Sequence, residues 1–258
     1  MTGAPERDPL VDLVSRSVGA RVDSVDVEIL PSETGVERKR LRFETTAGAT
    51  SAIFERRPRG DVLEAQLLPF LARKTPHVPV VHSRGLPPPA ASLGPWLLIE
   101  DVYADEVGCP GDVRDTVRAK LAIERAVAND LPALRALGVR QFTALDLIES
   151  DRRGNAAELD SAQLDGLPRV LVHGRFSCAN TRVLKRGVVV VDWSRAYIGC
   201  GLSDIAQLAR WLDQNGRSDD AAIALRTYRS EGAPAITDLD VQAALRYAAT
   251  LEVAGLKR

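Results

Sequence analysis

Two polar runs, each emerging from an apolar β-branched segment, hold the side chains with the clearest chemical capacity. The first is VLVHGRFSCAN over residues 170–180; the second is VVVVDWSRA over 188–196. Between them they offer an amide oxygen at Asn180 and a carboxylate at Asp192. These are the hard oxygen donors that Mg²⁺ takes when it sits on phosphates. Phosphoryl transfer from ATP also needs a cation on the α/β-phosphates and a group that orients the attacking hydroxyl. The cation that follows His173 and Gly174 is Arg175. Its pKa lies above about 12, so it cannot accept that hydroxyl's proton.

The elements that must position these residues follow from periodicity. Residues 9–19 carry apolar side chains at helical spacing and end at Gly19. VDVEIL (25–30), VERKRLRFETT (36–46) and SAIFER (51–56) alternate as strands around short turns, predicting an antiparallel meander. DVLEAQLLPFLAR (61–73) reads as a helix with Asp61 as its N-cap and Pro69 as a kink. Strands around 78–83 and 95–102 bracket a proline-rich loop at 86–90. Helical sequence follows at 112–137, interrupted at Pro132, and at 141–150. A polar loop over 151–166 precedes the two motif-bearing strands, and helices are predicted over 203–214, 218–230 and 238–256. The segregation of β-rich and helical sequence predicts an α+β protein with two unequal lobes, 1–101 and 102–258, hinged at LLIEDV.

The motifs in their order resemble the aminoglycoside-phosphotransferase type of the protein-kinase-like superfamily. HGRFSCAN is similar to its H-G-D-x-x-x-x-N signature, and VVVVDW to the strand ending in I-D-W/F. GLSDIAQLARWL (201–212) is similar to its G-x-x-x-D-[LIV]-A helix start. LEAQLLPFLARKTPHVPVV (63–81) and the hinge strand LLIEDV complete a likeness covering roughly 25–212. The resemblance implies a small antiparallel β lobe with one helix above a larger, mainly helical lobe. It implies ATP and Mg²⁺ as cofactors, with Asn180 and Asp192 as metal ligands and His173 and Asp204 bracing the loop. Glu64, and Glu100 and Val102 at the hinge, would lie around the nucleotide.

Three departures fall in one place. The family's catalytic Asp is Arg175, which can touch phosphate bidentately or pair with Asp192 and block the metal; the sequence leaves both open. Aligned on its proline, the third strand puts Glu55 where the family's phosphate-binding Lys belongs, where it would face and repel Glu64; a one-residue slip would offer Arg56 instead, on the opposite face. The loop between the first two strands keeps one glycine, Gly35, where a phosphate cradle wants more.

Two functions are expected from this pattern. One is a pseudokinase-like binding or accessory module that retains a nucleotide or holds a peptide or protein partner in the old cleft. The other is an atypical ATP-dependent phosphotransferase acting on a hydroxylated small molecule or a Ser/Thr peptide. The net charge of −1 gives no electrostatic case for nucleic acid or a membrane surface, and the basic ERKRLR run reads as a solvated face. No apolar run approaches a membrane span, and the first residues do not read as a signal peptide. Three cysteines without a CxxC argue against a disulfide framework or zinc site and make a reducing cytoplasm the default, with Cys178 a small filler. Trp193 and Trp211 read as core.

Overall fold

In the computed structural model the described residues are 8–88, 92–103, 109, 112–143, 164–232 and 235–253. The chain forms two lobes, an antiparallel β lobe followed by a mainly helical one. Helix α1 (Pro9–Val18) starts where Asp8 accepts the Leu10 N–H at 2.8 Å and stops where Gly19 turns left-handed at φ 67°. It covers one face of a sheet built from β1 (Val25–Ile29), β2 (Glu37–Thr45), β3 (Gly48–Arg56), β4 (Val81–Gly85) and β5 (Trp96–Glu100). The strand order is β1-β2-β3-β5-β4.

Strand alternation assigns the two faces. Ala52, Phe54 and Leu98 pack with Val14, Leu41 and Phe43 beneath α1. Ile53, Leu97 and Ile99 point the other way, toward Leu67, Leu68 and Leu71 of α2 (Leu63–Ala72). Glu55 therefore shares the inner face with Ile53, and Arg56 lies outside over the Phe54 ring, 5.2 Å from its centroid. Asp61 does not cap α2: the N-cap is Val62, without a side-chain bond, and Asp61 faces Arg57 instead.

The second lobe contains α3 (Val113–Ala126), α4 (Leu131–Ala136), α5 (Leu202–Gln214), α6 (Ser218–Glu231) and α7 (Asp238–Val253). The expected 112–137 helix is thus two helices, with Pro132 in the first turn of the second, where its missing N–H costs nothing. Short strands β6 (Arg140–Gln141), β7 (Arg169–Val172) and β10 (Tyr197–Cys200) form a sheet ordered β6-β10-β7, and β8 (Thr181–Leu184) pairs with β9 (Gly187–Val190). Gln141 lies in β6, against the helix expected from 141, and the rest of that segment beyond residue 143 falls outside the described residues, as does the polar loop through 163. One apolar core runs from α2 through α3, Phe176 and Trp193 to α5, α6 and α7. The lobes are also joined by backbone, since the Val190 N–H donates to His77 O at 2.8 Å.

Candidate functional site

The loop leaving β7 is held from below. His173 is fully buried, and its backbone N–H and that of Gly174 donate to the two Asp204 oxygens at 2.6 and 3.0 Å. Asp204, at the start of α5, also contacts Lys120 Nζ at 3.2 Å. Lys120 donates in turn to Glu124 and, at 3.0 Å, to Leu171 O. The His173 ring settles its own tautomer. Nδ1 accepts from the Arg175 N–H at 3.2 Å, so Nε2 carries the proton and donates to Val191 O at 2.8 Å. Burial holds its pKa below the ordinary value, in keeping with a neutral imidazole. Gly174 has φ 83°, and a Cβ there would sit 2.4 Å from Arg195 O, so this turn requires glycine.

Above the loop, guanidinium groups occupy the cleft. Arg175 Nη1 lies 2.6 Å from Glu33 in the β1–β2 connection and 3.5 Å from Asp192. Arg57, just beyond β3, reaches Glu55 at 2.8 Å, Asp192 at 3.3 Å and Asp61 at 3.4 Å, and contacts Glu64. Arg38 adds a second cation to Glu55 at 2.7 Å. The anticipated Glu55–Glu64 repulsion is therefore relieved by a guanidinium between them. Asn180 turns its amide toward the loop, with Nδ2 donating to Arg175 O at 2.8 Å. Arg56 stays outside this cluster and pairs with Glu37 at 3.0 Å.

Five carboxyls surround three guanidiniums, and the titration behaviour follows from that imbalance. Glu64, wholly buried, is pushed up to about 8 by desolvation, with Arg57 opposing and Glu55 and Asp192 adding to it. Its Oε1 accepts the Trp193 N–H at 2.8 Å. For Asp192, burial pushes upward too, but the Ser194 hydroxyl at 2.7 Å and the flanking Arg57 and Arg175 hold it below the ordinary range. Burial works against the charge on Arg57, yet Glu64, Glu55 and Asp192 raise its pKa. Asp192 has φ 64° and ψ 64°, a left-handed conformation that Asp tolerates better than most residues.

The hinge side is filled as well. Glu100 pairs with Arg186 of the helical lobe and accepts the Val80 N–H at 3.1 Å. Val102 is buried against Val189 and Val191. Tyr103 turns its ring into the space between the lobes, where the guanidinium of Arg38 from β2 lies 5.0 Å from its centroid and that of Arg182 from β8 lies 4.9 Å away. Burial pushes the Tyr103 hydroxyl up to about 12.

Cys178, at the end of the loop and fully buried, forms a disulfide with Cys109. This corrects the sequence expectation: the fold brings together two cysteines 69 positions apart and leaves Cys200 as the free thiol. With that pairing, the cysteine pattern no longer argues for a reducing compartment.

The structure thus gathers Glu55, Glu64, Arg175 and Asp192 into one network, with His173 and Asp204 beneath it. Reading the sequence missed Arg57, Arg38, Tyr103, Arg182, Lys120 and the partner of Cys178. The one available signal was Glu55 itself, because a carboxylate on the inner face of a strand demands a nearby cation. As placed, these residues do not fit Mg·ATP. The carboxylate of Asp192 is taken by two guanidiniums, and the cations beside Glu55, Arg38 and Arg57, are themselves tied to carboxylates. Among the described residues no group of three His, Cys, Asp or Glu side chains is arranged to hold a metal ion. Nor is any described helix long and apolar enough to cross a membrane.

A family model described as the phosphotransferase enzyme family matches residues 28–239. No curated protein sequence matches the chain. Among solved structures, an aminoglycoside-3′-phosphotransferase of type VIII is 20% identical, with 96% of this chain and 100% of that one covered and a TM-score of 0.56. An amicoumacin kinase in complex with AMP-PNP and Ca²⁺ is 13% identical over 95% and 85%, with a TM-score of 0.62. A choline/ethanolamine kinase family protein from Mesorhizobium loti is 14% identical over 89% and 88%, with a TM-score of 0.53. At such identities the likeness is one of fold.

Proposed function

We propose that this chain, which belongs to the phosphotransferase enzyme family, is a phosphate-inactive binding or accessory module whose cleft is closed by its own side chains. The observation that carries this reading is the double engagement of Asp192, by Arg57 at 3.3 Å and by Arg175 at 3.5 Å. A metal ion at Asp192 would have to displace both cations and share the space with their positive charge. Arg175 cannot serve as a general base, a role worth about 10²–10⁴ in rate. At Glu55, where the resemblance would put a phosphate-binding lysine, Arg38 and Arg57 are held at 2.7 and 2.8 Å, so a nucleotide triphosphate would have to compete with a carboxylate for those cations. The Arg175–Glu33 contact closes the mouth by joining the β1–β2 connection to the loop below. A module of this kind keeps the two-lobed scaffold and its rigid loop bracing for recognition.

Thermal melting with and without Mg²⁺ and ATP tests this. A ligand at 100 times its dissociation constant would add about 2.7 kcal/mol to stability. We expect no Mg²⁺-dependent shift with millimolar ATP or GTP. A shift that requires Mg²⁺ and vanishes in Asp192→Ala, with phosphate appearing on an acceptor hydroxyl, would overturn the proposal in favour of an active transferase.

A further inference from the structure

Of the described guanidiniums around the cleft and Tyr103, those of Arg38, Arg57 and Arg175 have carboxylate partners. Arg38 pairs with Glu55, Arg57 with Glu55 and Glu64, and Arg175 with Asp192 and Glu33. Arg182 is different. It is 6% exposed and has no carboxylate partner among the described residues. Its Nη1 donates to two backbone oxygens, Ala179 O at 2.8 Å and Thr181 O at 2.7 Å, while its Nε has no acceptor. A buried guanidinium normally finds an anion, because leaving such a charge unpaired and its donors unmet is costly. Consistent with that cost, burial holds the Arg182 pKa below its usual value.

What covers Arg182 is the Tyr103 ring. No described group hydrogen-bonds the Tyr103 hydroxyl; the ring lies between the guanidiniums of Arg38 and Arg182 and packs on the neighbouring apolar clusters. Around it stand Val102, Val189 and Val191. The space is therefore shaped for one aromatic ring with apolar sides, next to a buried guanidinium whose Nε edge lacks an acceptor. That edge suits a planar carboxylate, which accepts two parallel N–H bonds from a guanidinium.

We propose that this slot is a ligand site for a small aromatic carboxylate, which displaces Tyr103 and places its carboxylate on Arg182. The inference rests on the closed-cleft reading, since it assigns the base-side slot to an acid rather than to a nucleotide. Tyr103 is then a built-in occupant that the ligand replaces ring for ring, and Arg182 supplies the charge that selects acids over neutral analogues.

The test uses 4-hydroxyphenylacetate, the tyrosine ring bearing a carboxylate, with 4-hydroxyphenylacetamide as the neutral control. In Tyr103→Ala the slot is vacated, and calorimetry should show the acid binding at least about tenfold more tightly than to the original protein, a gain of roughly 1.4 kcal/mol. The amide should bind at least about tenfold more weakly than the acid, and the double variant with Arg182→Met should lose that preference. In the unmodified protein, millimolar acid should shift the Arg182 Nε–Hε NMR resonance, assigned by its loss in Arg182→Lys; this readout stands even if Tyr103→Ala does not fold. Equal binding of acid and amide, acid binding that survives Arg182→Met, or an unmoved resonance would overturn the proposal. A parallel Mg·ATP titration separates the two ideas. Nucleotide binding that expels the acid would defeat the closed-cleft reading and leave the slot intact, whereas absence of both ligands would defeat the slot alone.

Discussion

Replacing Arg57 with methionine removes the one cation among the described residues that touches Glu55, Glu64 and Asp192 together, while leaving an unbranched side chain. Arg57 is 8% exposed at its side chain, and Glu55 and Glu64 are at 6% and 5%, so solvent screens little of the effect. Removing one partner of a buried ion pair costs about 3–5 kcal/mol, chiefly because the other charge is left uncompensated. Here three carboxyls lose a shared partner, with Arg38 still serving Glu55 and Arg175 still serving Asp192, which places the expected loss within that range. For a domain of this size each kcal/mol is worth roughly 2–4 °C, so the melting temperature should fall by about 6–20 °C. The loss should be greater at pH 8 than at pH 5, because protonation relieves the stranded carboxyls in acid. Urea denaturation followed by circular dichroism at the two pH values measures both quantities. A loss below about 1 kcal/mol, the scale of an exposed pair, would refute the assignment of Arg57 as the keystone of the cleft. So would a loss independent of pH.

Other consequences are open to measurement. Glu64 has a folded pKa near 8, above its unfolded value of 4.5, so the native state holds a proton that the unfolded state has released between those values. The stability this contributes is complete below the unfolded pKa and is lost as pH rises through the folded one. Glu64→Gln should therefore gain stability relative to the original protein as pH climbs from about 4.5 to about 8; a gap that stays constant in paired urea titrations would contradict this. The Cys109–Cys178 bond spans 69 positions, and closing a loop of that size corresponds to about 4 kcal/mol in the chain-entropy treatment. Cys109→Ser should lower stability by about 2–5 kcal/mol, and thiol titration of the denatured, unreduced protein should find Cys200 as the one reactive sulfur. Gly174→Ala combines a positive φ with a 2.4 Å approach to backbone, so it should destabilise by more than 1–2 kcal/mol, roughly the cost of a left-handed residue alone; an unchanged melting temperature would count against the tight turn.

The sequence carried the fold where elements were long and capped. Helix α1 announces itself through its apolar spacing and Gly19, and α5 through its apolar spacing. Strands β6, β8 and β10 run two to four residues, too short for alternation to register, and were missed. The face of Glu55 was legible because β3 alternates strictly; the position of Arg57 was not, because it lies past the strand end before Pro58, where parity no longer fixes direction. The loop motif located Arg175 and Asp192, but the choice between phosphate contact and pairing with Asp192 depended on a 3.5 Å approach that spacing cannot encode. The cover of Arg182 by Tyr103 and the union of Cys109 with Cys178 are tertiary facts that join residues 79 and 69 positions apart, beyond the reach of local spacing.

The most direct trial of the closed cleft is a calorimetric titration of Mn²⁺ together with a non-hydrolysable ATP analogue, run on the original protein and on Asp192→Asn. With Asp192 engaged by Arg57 and Arg175, both proteins should give only heats of dilution. A one-to-one binding isotherm in the original protein that disappears in Asp192→Asn would show the carboxylate free to take metal and would contradict the account.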